Sequence, residues 1–274
     1  MRMLRHDATN CLLTSLLLLF YPSVVASCNI RRVVVDNESL NIDGYDDAQG
    51  PTVFVLGNGR ERQHALRALV ERDELLSQKH NDTTVFLSSS NSYSHDVKKM
   101  ALHDYIRQVV DVPQSPGKEE QEPLGAQSTA AANETFYMFG HNDASSPWRG
   151  IASNYIIPPC GPPCTERGTK TLGIGGQFSG VSFHMHGPTF SETIVGRKHW
   201  FVLPLDSQLV DVPAIANMTM VHWYTHVFPA LPQAVRAGIW ECVLDPGEAI
   251  FFGSRVMHAT LNLDKYNVFM SLFV

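Results

Sequence analysis

Beyond Thr135 the chain is written in short apolar and β-branched runs, each cut off by Gly or Pro within a few residues. The runs are Phe136–Phe139, Thr171–Ile174, Val181–His186, Glu192–Val195, Lys198–Leu205, Ile239–Leu244, Ala249–Phe252, His258–Leu263 and Val268–Val274. Many short strands joined by tight turns make a β sandwich or barrel. The first half reads differently. Thr52–Leu56 is a strand candidate closed by the turn Gly57-Asn58-Gly59, and Thr84–Leu87 is another. From Glu61 to Val70, the residues Ala65, Leu66, Leu69 and Val70 recur at helical spacing. Asp73 is placed to cap a second short helix carrying Leu75 and Leu76, and Met100–Val110 reads as one more helix. Residues 111–133 are rich in Pro, Gln, Glu and Ala without a hydrophobic period, which predicts an exposed insertion. The expected organisation is a leader (1–27), an N-terminal α/β extension (28–134) ending in that insertion, and a β barrel (135–274).

The leader is read from Arg2 and Arg5, the apolar run Cys11 to Val25, and the small residues Val25-Ala26-Ser27. A positive start, a short apolar core and a small-residue exit are the layout of a secretory signal peptide. The core is shorter than the ~20 residues a spanning helix needs, and Pro22 interrupts it. A cleaved leader is therefore expected, with a mature chain starting near Cys28 and no stable membrane span. Asn37, Asn81, Asn133 and Asn217 each begin an Asn-X-Ser/Thr sequon, so glycosylation is expected at these positions. Removing the leader leaves Cys28, Cys160, Cys164 and Cys242, for which three pairings are open. A Cys160–Cys164 bridge would close a tight loop through Gly161-Pro162-Pro163, whereas a zinc site would want more ligands nearby. The terminal Ser271-Leu272-Phe273-Val274 is no retention tag of the Lys-Asp-Glu-Leu type. Hydrophobic residues make up 44% and charged residues 18%, an ordinary globular balance. The net charge of -6, with no Lys/Arg run longer than two, argues against a nucleic-acid partner.

Chemistry concentrates in two of the short runs. Residues two apart on a strand face the same side, roughly 6.5–7 Å apart. His184 and His186 should therefore share a face, with Met185 opposite. His258 follows about seventy residues later, and a barrel that brings its strand alongside makes three imidazoles converge as a metal site. Glu192 has the parity of the two histidines, but Pro188 lies between, so it is either a fourth ligand or a barrel-rim residue.

The stretch Gly180 to Pro204, with His184-Met185-His186-Gly187-Pro188 and Gly196-Arg197-Lys198-His199-Trp200-Phe201, resembles the first half of a JmjC domain. Pro246-Gly247-Glu248-Ala249-Ile250-Phe251-Phe252 and His258-Ala259-Thr260-Leu261-Asn262-Leu263-Asp264 resemble its second half, in order and at a plausible separation. The resemblance implies a mainly β fold of the double-stranded β-helix, or cupin jelly-roll, type. It also implies Fe(II)/2-oxoglutarate-dependent hydroxylation of a protein partner or substrate and, with the leader, residence in the endoplasmic reticulum lumen. Residue by residue it makes His184 and His258 metal ligands, and Lys198 the base that pairs with the distal carboxylate of 2-oxoglutarate. At the remaining ligand position active members carry Asp or Glu, whereas this chain carries His186. Val181 stands where many members have a 2-oxoglutarate-binding hydroxyl, and the adjacent Ser182 should face the other way. The spacing from His186 to Lys198 is one residue shorter than in hydroxylase members. A carboxylate would cancel one charge of the metal, and three neutral imidazoles leave the full dication, a set that also suits Zn(II). The alternatives are thus a three-histidine metalloenzyme that does not use 2-oxoglutarate, and an inactive JmjC-fold interaction protein.

Overall fold

The computed structural model describes residues 28–35, 40, 50–77, 80, 82–89, 97–112, 135–139, 148–166, 168–204, 215 and 218–274. The expected leader, the four sequon asparagines and residues 113–133 of the expected insertion lie outside the described residues.

All nine runs after Thr135 form strands. These are β5 (Phe136–Met138), β6 (Thr169–Gly176), β7 (Gly180–His184), β8 (Thr189–Val195), β9 (Lys198–Val202), β10 (Trp240–Leu244), β11 (Glu248–Phe252), β12 (His258–Asn262) and β13 (Tyr266–Phe273). Upstream lie β1 (Arg31–Val35), β2 (Thr52–Leu56), β3 (Thr84–Ser89) and β4 (Val97–Ala101). They build two sheets, a nine-stranded one ordered β1-β2-β11-β8-β13-β6-β5-β3-β4 and a four-stranded one ordered β10-β9-β12-β7. The result is a mainly β jelly-roll of the cupin type. Its large sheet is extended at one end by β1 and β2, paired in parallel and joined to β11, and at the other by β3 and β4.

Alternation along each strand sorts the side chains. Trp200, Val202, Cys242 and Leu244 of the small sheet cluster with Val53, Ile250 and Phe252 of the large one. The outer face of the large sheet is closed by α1 (His64–Val70), α2 (Arg72–Leu75) and a helix over Leu102–Tyr105 continued by a π turn over Ile106–Val110. The helix predicted from Met100 begins at Leu102, because Met100 and Ala101 complete the pairing of β4 with β3. The N-cap of α2 is Glu71 rather than Asp73, which lies inside the first turn. Short helical segments over Met220–His222, Trp223–Val227, Phe228–Ala230 and Gln233–Ala237 cover the small sheet, with Trp223 edge-on to Phe201 at 4.6 Å. Among the described residues, no helix is long and apolar enough to cross a membrane.

Among the described residues two disulfides are present, Cys28–Cys242 and Cys160–Cys164. The first ties the start of the described chain to β10, beside a hydrogen bond from Asn29 Nδ2 to the Ile239 carbonyl. The pairing that matters most for function is β7 with β12. A Cβ on Gly180 would meet the Thr260 carbonyl oxygen at 1.9 Å, so only glycine allows this approach. Registry then sets His184 opposite His258, with an irregularity between His258 and Thr260.

Candidate metal centre

His184 closes β7 and His258 opens β12. His186 is not on the strand from which its parity was read: β7 ends at His184, and His186 reaches the same point from the following turn. All three imidazoles nonetheless meet. Nε2 of His258 lies 3.1 Å from Nε2 of His186, and one ligand nitrogen from each ring lies within 4.8 Å of the others. A shared cation at about 2.1 Å from each nitrogen needs separations of roughly 3–4 Å, so small rotations suffice.

The hydrogen bonds decide which nitrogen faces inward. Nδ1 of His184 lies 2.8 Å from the Ser182 carbonyl, that of His258 2.8 Å from the Val256 carbonyl, and that of His186 2.9 Å from the Gly187 carbonyl. A carbonyl only accepts, so each Nδ1 donates its proton and each Nε2 keeps a lone pair for the centre. Two such lone pairs 3.1 Å apart repel unless a cation lies between them. Burial lowers the pKa of His184 to about 4 and that of His258 well below the usual value; the neighbouring imidazoles push His258 further. Burial lowers His186 as well. The rings are therefore neutral at pH 7, and a divalent cation binds them without displacing protons.

No family model matches the chain. Curated relatives do. JmjC domain-containing protein 8 of Homo sapiens is 36% identical over 220 residues, covering 80% of this chain and 75% of the relative. Its Rattus norvegicus counterpart is 36% identical over 223 residues, and that of Mus musculus 35% over 223, each covering 80% of this chain and 74% of the relative. This chain belongs to the JmjC family.

In this JmjC barrel a cavity runs inward from the histidines, lined among others by Lys198, Trp200, Thr260, Ser191, Ser271 and Phe273. Lys198 is buried. Its Nζ donates to Asn262 Oδ1 at 3.1 Å and stands 3.8 Å over the Phe269 ring centre. Asn262 is oriented in turn by donating through Nδ2 to Ser179 Oγ at 2.9 Å. No carboxylate is among the cavity-lining residues, and burial lowers the pKa of Lys198 to about 7. Val181 lines the cavity without a hydroxyl, and Ser182 turns away to donate to the Met218 carbonyl. Sequence reading missed Thr260 and Asn262, although both share the inward parity of His258 on β12.

Glu192 is neither a ligand nor a rim residue. It is fully buried on the opposite face of β8 from Ser191, where Arg62 Nη1 approaches it at 2.8 Å and Gln63 Nε2 at 3.1 Å. Arg62 also bonds the Ile156 carbonyl. The parity Glu192 shares with the histidines does not carry through the turn at Pro188, where the chain changes sheet and the count restarts.

Proposed function

We propose that the protein is an Fe(II)/2-oxoglutarate-dependent hydroxylase acting on a protein of the endoplasmic reticulum lumen. His184, His186 and His258 hold the metal, and Lys198 binds the distal carboxylate of 2-oxoglutarate. One observation carries this reading: a buried lysine that, among the described residues, has no acidic partner lines the cavity shared with three neutral imidazoles. A loaded centre of that kind is strongly positive and selects a dianionic chelator. Bound Fe(II) would supply the activation of dioxygen. The chain's own part is to fix three Nε2 lone pairs by backbone hydrogen bonds, to hold Lys198 on Asn262, and to enclose the site with Trp200 and Phe273. Anaerobic calorimetry of the Fe(II)-loaded protein with 2-oxoglutarate tests the binding, and succinate formation tests turnover. Metal binding without 2-oxoglutarate binding overturns the assignment.

A second reading is a three-histidine Zn(II) site that works without 2-oxoglutarate. It is favoured by the seat built for His186, whose ring lies edge-on to Phe273 at 5.1 Å with Nδ1 held by the following turn. Metal content of protein purified from its own compartment separates the two. A protein that binds neither metal nor 2-oxoglutarate would be the interaction module.

The luminal location is supported by the leader-like N-terminus, the four sequons and two disulfides, which persist in oxidising compartments. N-terminal sequencing should start near Cys28, and glycosidase treatment should lower the mass. Material that starts at Met1 and shows no mass shift would remove the assignment.

A further inference from the structure

Thr260 is the register partner of Trp200, one step along β12 from Asn262, which faces Lys198. Its side chain lines the same cavity as Lys198 and is buried. Thr260 Oγ1 accepts the Val181 N–H at 3.2 Å, next to the irregularity that β12 makes against β7. That bond uses the oxygen only. Among the described residues nothing accepts the hydroxyl proton of Thr260, and a buried donor without an acceptor costs free energy that a ligand oxygen would recover. The one backbone whose amide Thr260 holds is Val181, the position at which this chain carries no hydroxyl of its own.

We infer that Thr260 supplies the missing hydroxyl, so that Lys198 Nζ and Thr260 Oγ1 together bind the carboxylate end of the ligand that enters this cavity. Diagonal neighbours on paired strands stand ~7–8 Å apart. Lys198 and Thr260 are such diagonal neighbours whose side chains line one cavity, where a single carboxylate accepts from the ammonium and from the hydroxyl at about 2.6–2.9 Å each. The ammonium cancels the charge, and the hydroxyl fixes the tilt of the carboxylate plane. An alcohol at the far end would leave the ammonium's charge uncancelled, and a protonated amine would repel it. The inference rests on the 2-oxoglutarate reading and adds to it a residue on a different strand from the lysine.

The experiment is calorimetry of 2-oxoglutarate against the full mature chain loaded with redox-inert Mn(II), comparing wild type, Thr260→Val, Thr260→Ser and Lys198→Met. A hydrogen bond to a charged group predicts that Thr260→Val weakens 2-oxoglutarate binding by about ten-fold or more, while Thr260→Ser restores it. Mn(II) affinity measured without 2-oxoglutarate should be the same in both Thr260 variants and wild type, which separates loss of the hydroxyl from disruption of β12. If Thr260→Val binds like wild type while Lys198→Met does not, the role of Thr260 is overturned and the 2-oxoglutarate reading stands. If Thr260→Val also loses Mn(II), its role is structural and the inference fails. If wild type binds Mn(II) but no 2-oxoglutarate, both fall together.

Discussion

His258 is the register partner of His184 across β12 and β7, and their ring centres stand 4.3 Å apart. One backbone pairing thus fixes two ligands, and the glycine at 180 is what lets it form. The third imidazole has no such register partner and is held by the Gly187 carbonyl together with side-chain contacts. His186 lies against Phe252 at 5.6 Å and Phe273 at 5.1 Å, with Thr189 Oγ1 3.3 Å from its Nδ1.

Replacing any one of His184, His186 or His258 by Ala should lower metal affinity by on the order of 100-fold or more. Structural zinc sites draw about 10–16 kcal/mol from four ligands, so one ligand is worth several. Wild-type protein should also melt at a higher temperature when metal is added, by about 2.7 kcal/mol of stabilisation at a hundred times the dissociation constant. Metal titration with thermal melting checks both. Equal affinity in wild type and His258→Ala would refute the shared site.

Lys198 gives the apo protein a pH dependence of known sign. Burial lowers its pKa from the usual 10.5 to about 7. Between these values the unfolded chain holds a proton that the folded chain has released, so raising the pH through this window stabilises the fold. Below about 7 both states are protonated, and the full cost of burying the ammonium remains. The span corresponds to on the order of 5 kcal/mol. Lys198→Met should therefore be more stable than wild type at pH 7 and lack the rise between pH 7 and 9 that urea unfolding would record in wild type.

The buried pair Arg62–Glu192 is a structural device that anchors Gly59–Gln63 to the core strand β8. Burial raises the pKa of Glu192, and Arg62 opposes that shift. Arg62→Met strands the carboxylate and should cost about 3–5 kcal/mol, most of which a second change, Glu192→Leu, recovers. Metal affinity should not change in either, because Glu192 faces away from the histidines. Denaturant unfolding read beside metal titration tests the separation.

The sequence disclosed what depends on a period of two within one strand. Ser182 turned away from the cavity that Val181 lines follows from it, whereas the placing of Lys198 and His258 at the site was implied by the JmjC resemblance. The count does not carry through a turn, which is why Glu192 was left between ligand and barrel rim and why His186 meets its partners from a turn rather than from β7. The helical cover over 220–237 was not read, because Val221, Trp223, Tyr224, Thr225, Val227 and Phe228 are residues with strand preference. Packing on Phe201 and Leu261 overrides that preference. The junction of β1 and β2 with β11 was also invisible, since nothing local in Thr52–Leu56 names a partner almost two hundred residues away.

His186→Asp is the change that decides what the third imidazole is for. In active JmjC members a carboxylate occupies this position, and a carboxylate would offset one unit of the metal's charge and restore a two-histidine, one-carboxylate set. The backbone at 186 already brings its side chain to Nε2 of His258, so the acid starts from the right place. Asp is shorter than His and leaves space beside Phe252 and Phe273, which small shifts of the turn after β7 must close. If the rest of the oxygenase site is intact, Fe(II) and 2-oxoglutarate should bind His186→Asp more tightly than wild type, with Lys198 on the far carboxylate. Enhanced binding with new succinate release marks the natural protein as a lapsed oxygenase. Metal loss in His186→Asp makes His186 itself a required ligand and favours the three-histidine enzyme. Anaerobic calorimetry that finds no 2-oxoglutarate binding in either form sinks the retained cosubstrate site and leaves an interaction module.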